Sequence, residues 1–294
     1  MSEPTSSKPS GRVGRVAIIG AGLIGGSLGA ALGARGLATE RVAYDSSPDA
    51  RQRLVPTIAD RVASSIAEAC DGAELVVVAC PVTALDEVFA RIGRHAPPDC
   101  LVTDCTSTKR TAIAAARAGL GSLFERFVPG HPIAGSERSG PLAARPELFS
   151  GKAWLLCPLD AAQSAAADRL APLLTAVGAS VERMDAGEHD AMFAEFSHWP
   201  HAVVFALCAA VARGGYGALA ARFSGAGLRD TTRIGASSPD LWADILLDNR
   251  EAVLASASRF AEALDALRDR LENGVRGDLV ELLAAGSEWR RTLD

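Results

Sequence analysis

Two patterns of apolar residues follow one another along the chain. In the first part, short apolar runs alternate with longer segments of helical character. The predicted strands are Val16–Ile19, Val42–Asp45, Arg61–Val62, Leu75–Cys80, Leu101–Asp104, Phe127–Val128, Ala153–Cys157 and Val181–Met184. The predicted helices between them include Thr83–His95, Thr108–Ala118 and Ala161–Val177. Strands that alternate with helices of this length predict a parallel sheet covered by helices on both faces.

The pattern changes near residue 186, where strand signals stop and helical periodicity continues to the C-terminus. A change of this kind marks a domain boundary. We therefore predict a Ser-, Pro- and Gly-rich leader over residues 1–14, an α/β domain over 15–185 and an all-helical domain over 186–294.

A glycine-rich turn follows the first predicted strand. Gly20, Gly22 and Gly25 have the Gly-x-Gly-x-x-Gly spacing of dinucleotide-binding proteins. The first glycine permits the turn, the second lets the backbone approach a pyrophosphate, and the third allows close packing of the next helix. Leu23 and Ile24 begin that helix, whose free N–H groups would face the anion. The turn predicts a Rossmann-type nucleotide-binding domain.

An acidic residue at the end of the second predicted strand supports this prediction. Asp45 lies about twenty residues after the glycine turn, where a carboxylate accepts hydrogen bonds from the adenosine ribose. A carboxylate at this position repels a 2′-phosphate, so we expect NAD as the cofactor. Arg51 and Arg53 on the next helix leave NADP possible.

The composition is that of a soluble globular protein, with 48% hydrophobic and 22% charged residues and a net charge of −5. Lys and Arg are not concentrated strongly enough to indicate a nucleic-acid partner. The uncharged stretch from Val16 to Ala34 holds six glycines and a turn after Ile19, which argues against a membrane span. The six cysteines include no Cys-x-x-Cys pair, so we expect free thiols in a reducing cytoplasm and no metal.

Three candidate sites lie at predicted strand ends, where α/β sheets bind their ligands. Cys80 and Pro81 would line the nicotinamide side of the cofactor. Ser107 begins a predicted helix, and an ordinary N-cap is its simplest interpretation. His131 lies between a glycine and a proline before a polar, glycine-rich loop. This setting places the imidazole where it can meet a substrate.

The helical domain carries a second group of polar residues. Ser197 and His201 are four residues apart and share one helical face, and Pro200 can open a kink between them. Both side chains can therefore face the cleft between the domains. His198 lies on another face and is interpreted as structural. No role is predicted for the two remaining histidines, His95 and His189.

The sequence resembles the prephenate and arogenate dehydrogenases of tyrosine biosynthesis, also called cyclohexadienyl dehydrogenases. Five motifs in the family's order carry the resemblance: Gly-Ala-Gly-Leu-Ile-Gly at 20–25, Asp-Cys-Thr-Ser-Thr-Lys at 104–109, Gly-His-Pro-Ile-Ala-Gly-Ser-Glu at 130–137, Ser-His-Trp-Pro-His at 197–201 and Gly-Leu-Arg-Asp-Thr-Thr-Arg-Ile at 227–234. Trp199 stands where Leu is usual, Leu228 where Phe is usual, and Cys105-Thr106 where a Val-Gly pair is common. These departures affect the shape of the pocket.

The resemblance implies an oxidative decarboxylation with hydride transfer to NAD(P)+, which converts prephenate to 4-hydroxyphenylpyruvate or arogenate to tyrosine. His131 would be the catalytic base, with a pKa near the ordinary histidine value of about 6.5. Ser107 would hydrogen-bond His131 or the substrate hydroxyl. The residues implied to bind the substrate or shape the pocket entrance are Glu137, Ser197, His201 and Arg233.

Two other functions fit the sequence less well. A β-hydroxyacid-type dehydrogenase with the same plan would place a Lys in the helical domain, but no Lys follows Lys152. A non-enzymatic NAD-binding sensor has no reason to combine His131, Ser107 and Arg233. Within the family, the sequence leaves prephenate, arogenate and an amino-substituted prephenate analogue as alternatives.

An apolar seam predicts how the helical domain is covered. Apolar residues recur with spacings of four and three from Val253 to Leu271, and Asn273-Gly274 ends the series as a helix C-cap pair. The seam packs either inside its own domain or against a second subunit. Together with the apolar stretch from Val203 to Val211 it exceeds what a small domain can bury, so we expect a homodimer joined through this dimerisation domain.

Overall fold

A six-stranded parallel sheet forms the core of the first domain. The computed structural model describes residues 11–54, 56–136, 138 and 140–293. The strands lie in the order β3-β2-β1-β4-β5-β6. Their bounds are β1 Val13–Ile19, β2 Ala38–Tyr44, β3 Arg61–Val62, β4 Leu75–Val78, β5 Leu101–Asp104 and β6 Phe127–Val128.

Helices cover both faces of this sheet, as the sequence predicts. The last four residues of β1 are buried and point alternately to opposite faces: Val16 and Ile18 belong to one apolar cluster, Ala17 and Ile19 to the other. The helices of this domain are α1 Leu23–Ala34, α2 Pro48–Gln52, α3 Ile66–Cys70, α4 Leu85–His95, α5 Arg110–Gly119 and α6 Ala161–Ala176.

The last strands of the domain depart from the prediction of one parallel sheet. A second sheet contains β7 Gly130–Pro132, β8 Ala153–Leu156 and β9 Ser180–Arg183, and β7 runs antiparallel to β8. Only Pro129, which has no N–H to donate to a ladder, separates β7 from β6. The Gly130 N–H donates to the Asp104 side chain instead. The chain therefore leaves the main sheet immediately before His131.

Two predicted boundaries shift slightly. Strand β1 begins at Val13, so Val13 and Gly14, which the sequence places in the leader, belong to the first strand. Leader residues 1–10 lie outside the described residues. Helix α5 begins at Arg110 and not at Thr108, because the Asp190 carboxylate caps its N-terminus.

The second part of the chain is helical, as predicted. Its helices are α7 Ala186–Phe193, α8 Trp199–Arg213, α9 Ala220–Phe223, α10 Ala226–Thr232, α11 Pro239–Asp248, α12 Arg250–Asn273 and α13 Arg276–Arg291. A π-helical turn, Ala194–His198, joins α7 to α8. Gly274 ends α12 in the left-handed conformation, with φ of 69°, which confirms the predicted C-cap.

The helical domain buries little of its apolar surface within one chain. Among its described residues, the buried apolar side chains are Phe193, Ala194, Val204, Ile245 and Val253. The first residue of the seam is thus buried, whereas Phe260, Leu264 and Leu271 are exposed. Half of the six seam residues are therefore left exposed by their own domain.

The apolar stretch at the N-terminus is divided between β1 and α1. Over the described residues, no single helix has the length and apolar character needed to cross a membrane. One pair of helical segments, Ala186–Arg213 and Gly217–Phe223, has them by length and composition alone, and it is bent by 102°.

Two glycines of the turn give a matched test of its packing. A Cβ at Gly25 would lie 2.0 Å from the Gly20 carbonyl oxygen, whereas a Cβ at Gly22 would meet nothing within 4 Å. We expect Gly25→Ala to lower the free energy of unfolding by roughly 1–3 kcal/mol, since helix and turn must separate. Gly22→Ala should change it by less than about 0.5 kcal/mol. Denaturant unfolding measures both, and equal stabilities would contradict the close approach at Gly25.

Candidate active site

A cavity of about 680 Å³ lies between the two domains. The glycine turn, the ends of β4 and β5, strand β7 and its following loop form one side. The π-helical turn, α8 and α11 form the other. Ten of the predicted site residues line the cavity: Gly22, Leu23, Ile24, Cys80, Pro81, Ser107, His131, Ser197, His201 and Arg233.

The remaining predicted cofactor residues lie beside the cavity wall. Gly20 has φ of 93°, and a Cβ there would lie 2.5 Å from the Ala79 carbonyl oxygen, so only glycine fits this turn. The Asp45 carboxylate accepts the Ala21 N–H at 3.0 Å, which holds it against the turn. Glu137 falls outside the described residues.

The turn and Asp45 fit a dinucleotide. The space in front of Gly22 is open, and no acidic residue lies in the first turn of α1 to oppose an anion. Arg51, which the sequence left as a route to NADP binding, donates to the backbone carbonyls of Asp45 and Ser46 at 2.5 and 3.3 Å. These hydrogen bonds hold its guanidinium on the backbone of its own loop.

His131 is the first of three residues joined by hydrogen bonds. Its Nδ1 lies 2.8 Å from Nε2 of His189, and Nδ1 of His189 lies 2.8 Å from a carboxylate oxygen of Asp190. Phe193 packs against both imidazole rings. The sequence assigned His189 no role. The adjacent His-Asp pair near the start of a helix is the signal that could have indicated it, because a carboxylate beside a histidine orients the ring.

The hydrogen bonds determine which nitrogens of His131 and His189 carry protons. Burial opposes ionisation of Asp190, but hydrogen bonds from His189 and from the Lys109 and Arg110 N–H groups lower its pKa, so it is a carboxylate. Desolvation lowers the pKa of His189, so its ring is neutral. Its Nδ1 must therefore donate to the carboxylate, which leaves Nε2 as an acceptor. His131 Nδ1 must donate to that nitrogen. The lone pair of His131 then resides on Nε2, the nitrogen that a general base needs.

Burial changes the acidity of this base. Desolvation, with His189, Lys109 and His198 nearby, lowers the pKa of His131 well below 6.5. The expectation of an ordinary histidine pKa from sequence does not hold in this environment. Neutral imidazole is thus the resting form over a wider range of pH than the sequence suggests.

Asp190 also caps helix α5 across the domain boundary. Its two carboxylate oxygens accept the N–H groups of Lys109 at 2.8 Å and Arg110 at 3.0 Å. Ser107 is therefore not the N-cap, contrary to its simplest interpretation from sequence. Its half-buried hydroxyl faces the cavity, and no hydrogen bond joins it to His131, whose partner is His189.

A fully buried ion pair holds β7 in place. Lys109 donates through Nζ to the Asp104 carboxylate and to the Gly130 carbonyl oxygen, while the same carboxylate accepts the Gly130 N–H at 2.9 Å. Both backbone groups of the residue before His131 are thereby satisfied away from the main sheet. The motif at 104–109 therefore positions His131 through Asp104 and Lys109.

The π-helical turn supplies the opposite wall. His201 Nδ1 donates to the Ser197 carbonyl oxygen at 2.8 Å, and its ring stacks on Trp242 with centroids 3.5 Å apart. Desolvation lowers the pKa of His201 and Arg233 adds to this, while the hydrogen bond to Ser197 opposes it. Arg233 itself has no ion-pair partner in the described part of the chain. Its guanidinium is available to an anion in the cavity.

His198 also forms part of the cavity wall. Its ring is 1% exposed and contacts Asn249. The sequence predicts that His198 lies on a different helical face from Ser197 and His201. A π-helical turn rotates successive side chains differently from an α-helix, so His198 lines the same cavity as these two residues.

A parallel-sheet domain with a dinucleotide-type glycine turn, a helical domain and a hydrogen-bonded histidine in the cleft between them are typical of nucleotide-dependent dehydrogenases. Two family models match the chain. Residues 28–183 match the prephenate dehydrogenase nucleotide-binding domain and residues 185–285 the prephenate dehydrogenase dimerization domain. The chain belongs to the prephenate dehydrogenase family.

Individual relatives agree with the family models. Cyclohexadienyl dehydrogenase from Zymomonas mobilis is 33% identical over 86% of this chain and 87% of its own length. The crystal structure of Aquifex aeolicus prephenate dehydrogenase in complex with hydroxyphenyl propionate and NAD+ has a TM-score of 0.88 and 30% identity, covering 99% of this chain and 100% of that one. Synechocystis arogenate dehydrogenase has a TM-score of 0.79 and 25% identity, covering 95% and 100% of the two chains.

Proposed function

We propose that this protein oxidatively decarboxylates prephenate, arogenate or both, with NAD+ as hydride acceptor, in tyrosine biosynthesis. The observation that carries the proposal is a buried His131 whose unprotonated Nε2 is fixed in the cavity beside a dinucleotide-binding turn. Membership of the prephenate dehydrogenase family and similarity to enzymes named for either substrate support it.

The glycine turn and Asp45 would hold the cofactor, with Gly22 facing its pyrophosphate and Cys80 and Pro81 beside its nicotinamide. When bound, the nicotinamide accepts a hydride from the ring carbon that carries the substrate hydroxyl. Asp45 favours NAD, because a carboxylate repels a 2′-phosphate and Arg51 is occupied by backbone carbonyls.

His131 removes the proton of the ring hydroxyl through Nε2. The imidazolium that forms keeps its Nδ1–H bond to His189, and the Asp190 carboxylate stabilises the charge through that ring. The ring carboxylate leaves as carbon dioxide, and its bonding electrons complete the aromatic ring as a phenolate, whose oxygen takes the proton back from the His131 imidazolium. The protein supplies a base and positioning, since aromatisation drives the step.

The other residues would bind the substrate. Ser107, which lines the cavity, would orient the ring hydroxyl beside His131. Arg233 offers a planar, bidentate donor set to a substrate carboxylate, and His201 and Ser197 lie on the same side of the cavity. A role for Glu137 at the pocket entrance rests on the family resemblance.

We further infer a cytoplasmic homodimer. The exposed seam residues Phe260, Leu264 and Leu271, and the few apolar residues buried within the helical domain, leave an apolar face that a second copy would cover. The match to a dimerization domain supports this. Six free cysteines suit a reducing compartment.

Turnover assays test the function directly. We expect reduced nicotinamide to form, with release of carbon dioxide, when the protein is given NAD+ and prephenate or arogenate. The ratio of kcat/KM values for the two substrates gives the preference. We expect kcat/KM with NAD+ to exceed kcat/KM with NADP+ at least about tenfold, because the Asp45 carboxylate repels the 2′-phosphate of NADP+. No turnover of either substrate would overturn the proposal.

The role of His131 predicts a pH profile. Since only the neutral ring accepts a proton and burial lowers its pKa, kcat/KM should stay on its plateau at pH 6.5 and fall only at more acidic pH. His131→Asn should lower turnover roughly a hundredfold or more while cofactor affinity persists. Ser107→Ala is the matched control. Its turnover should fall less, and its kcat/KM should decline over the same acidic pH range as that of the wild-type enzyme. Near-normal turnover of His131→Asn would assign the base elsewhere.

Assembly is checked by light scattering. We expect twice the 30.4 kDa chain mass at micromolar concentration. Leu264→Glu places a charge in the exposed seam and should shift the mass towards that of a monomer, whereas Leu159→Glu, an exposed leucine of the nucleotide domain, should not. A monomeric wild-type protein would contradict the inference.

A further inference from the structure

A second histidine of the cavity has its tautomer fixed by the protein. The Nδ2 atom of Asn249 lies 2.7 Å from the Asp190 carbonyl oxygen and 3.1 Å from Nδ1 of His198. A carbonyl oxygen only accepts, so the amide atom facing it is the nitrogen donor. Its second hydrogen then points to His198 Nδ1, which accepts it. A neutral His198 must carry its proton on Nε2.

The ring is neutral at physiological pH. Desolvation lowers the pKa of His198 to about 4, although Asp190 opposes the shift. His198 is 1% exposed and Asn249 5% exposed, so neither is free to change its hydrogen bonds to solvent. Within the described residues, Nε2 of His198 has no hydrogen-bond partner, yet the ring forms part of the cavity wall. An N–H on the cavity wall without a protein partner is available to an acceptor on a bound ligand.

The position of the ring suggests which acceptor. The His198 ring lies near Phe193, which also packs against His131, and near Trp242, which stacks on His201. The proposed substrates carry a ring hydroxyl, which meets His131, and two carboxylates. The side-chain carboxylate keeps its charge throughout the reaction and suits the Arg233 guanidinium. The ring carboxylate and the side-chain keto or ammonium group remain, and of these the ring carboxylate is the charged acceptor that both substrates share.

A neutral donor suits a carboxylate that must leave. The ring carboxylate loses its charge as it becomes carbon dioxide, so a full positive charge beside it would stabilise the substrate more than the transition state. A neutral N–H orients the group with less of this effect. We propose that the Nε2–H of His198 binds the ring carboxylate of the substrate, an inference that rests on the proposed function.

Two variants separate the donor from a structural role. His198→Asn keeps a polar group near the Nδ1 position, which can contact Asn249, and lacks the Nε2 donor. His198→Gln places an amide N–H near the Nε2 position. We expect His198→Asn to lower kcat/KM for the dicarboxylate substrate by about ten- to hundredfold, the effect of losing a hydrogen bond to a charged group. His198→Gln should recover most of that loss.

A ligand without the ring carboxylate provides the control. Hydroxyphenyl propionate keeps the hydroxyl and the side-chain carboxylate, so its Kd in the presence of NAD+ should change less than about twofold in His198→Asn. Provided that the wild-type enzyme turns over its substrate, equal weakening of both ligands in His198→Asn, or no change in either, would overturn the inference. If the wild-type protein turns over neither prephenate nor arogenate, the proposed function itself fails.

Discussion

The side chain and backbone of Asp190 connect the two domains and fix the histidines between them. Its carboxylate accepts the first N–H groups of α5, from Lys109 and Arg110, and the Nδ1–H of His189. Its carbonyl oxygen accepts the amide of Asn249. The positive end of a helix stabilises this buried carboxylate, and the carboxylate in turn holds the helical domain against the nucleotide domain. This acid thereby helps to hold the two walls of the cavity together, beside the Arg110–Glu251 and Thr111–Asp248 contacts between the domains.

Two imidazoles of opposite character follow from this one residue. Through His189, the carboxylate leaves His131 with an unprotonated Nε2. Through Asn249, the Asp190 carbonyl oxygen leaves His198 with a protonated Nε2. Burial keeps both rings neutral, because it lowers both pKa values. An acceptor nitrogen and a donor nitrogen thus face one cavity, and their protonation does not change near neutral pH. The proposed reaction needs both, the first to remove a proton and the second to orient the leaving carboxylate.

The parts of the molecule that depend on local order were predictable from the sequence. The glycine turn, Asp45 and the C-cap at Gly274 each express a rule about a few neighbouring residues, and each has its predicted conformation. The separate sheet of β7 was not predictable, since it depends on the Asp104 and Lys109 contacts with backbone distant in sequence. The role of His189 was missed for the same reason: its partner lies 58 residues away, and helix periodicity does not register such a contact.

The protonation states of the two cavity histidines test the arrangement most directly. Nuclear magnetic resonance of protein labelled with nitrogen-15 histidine distinguishes protonated from unprotonated ring nitrogens, and the signals are assigned with the His131→Asn and His198→Asn variants. At neutral pH, we predict a proton on Nδ1 and none on Nε2 of His131, and the reverse for His198. A proton on Nε2 of His131 in the resting enzyme would contradict its assignment as the base oriented by His189 and Asp190.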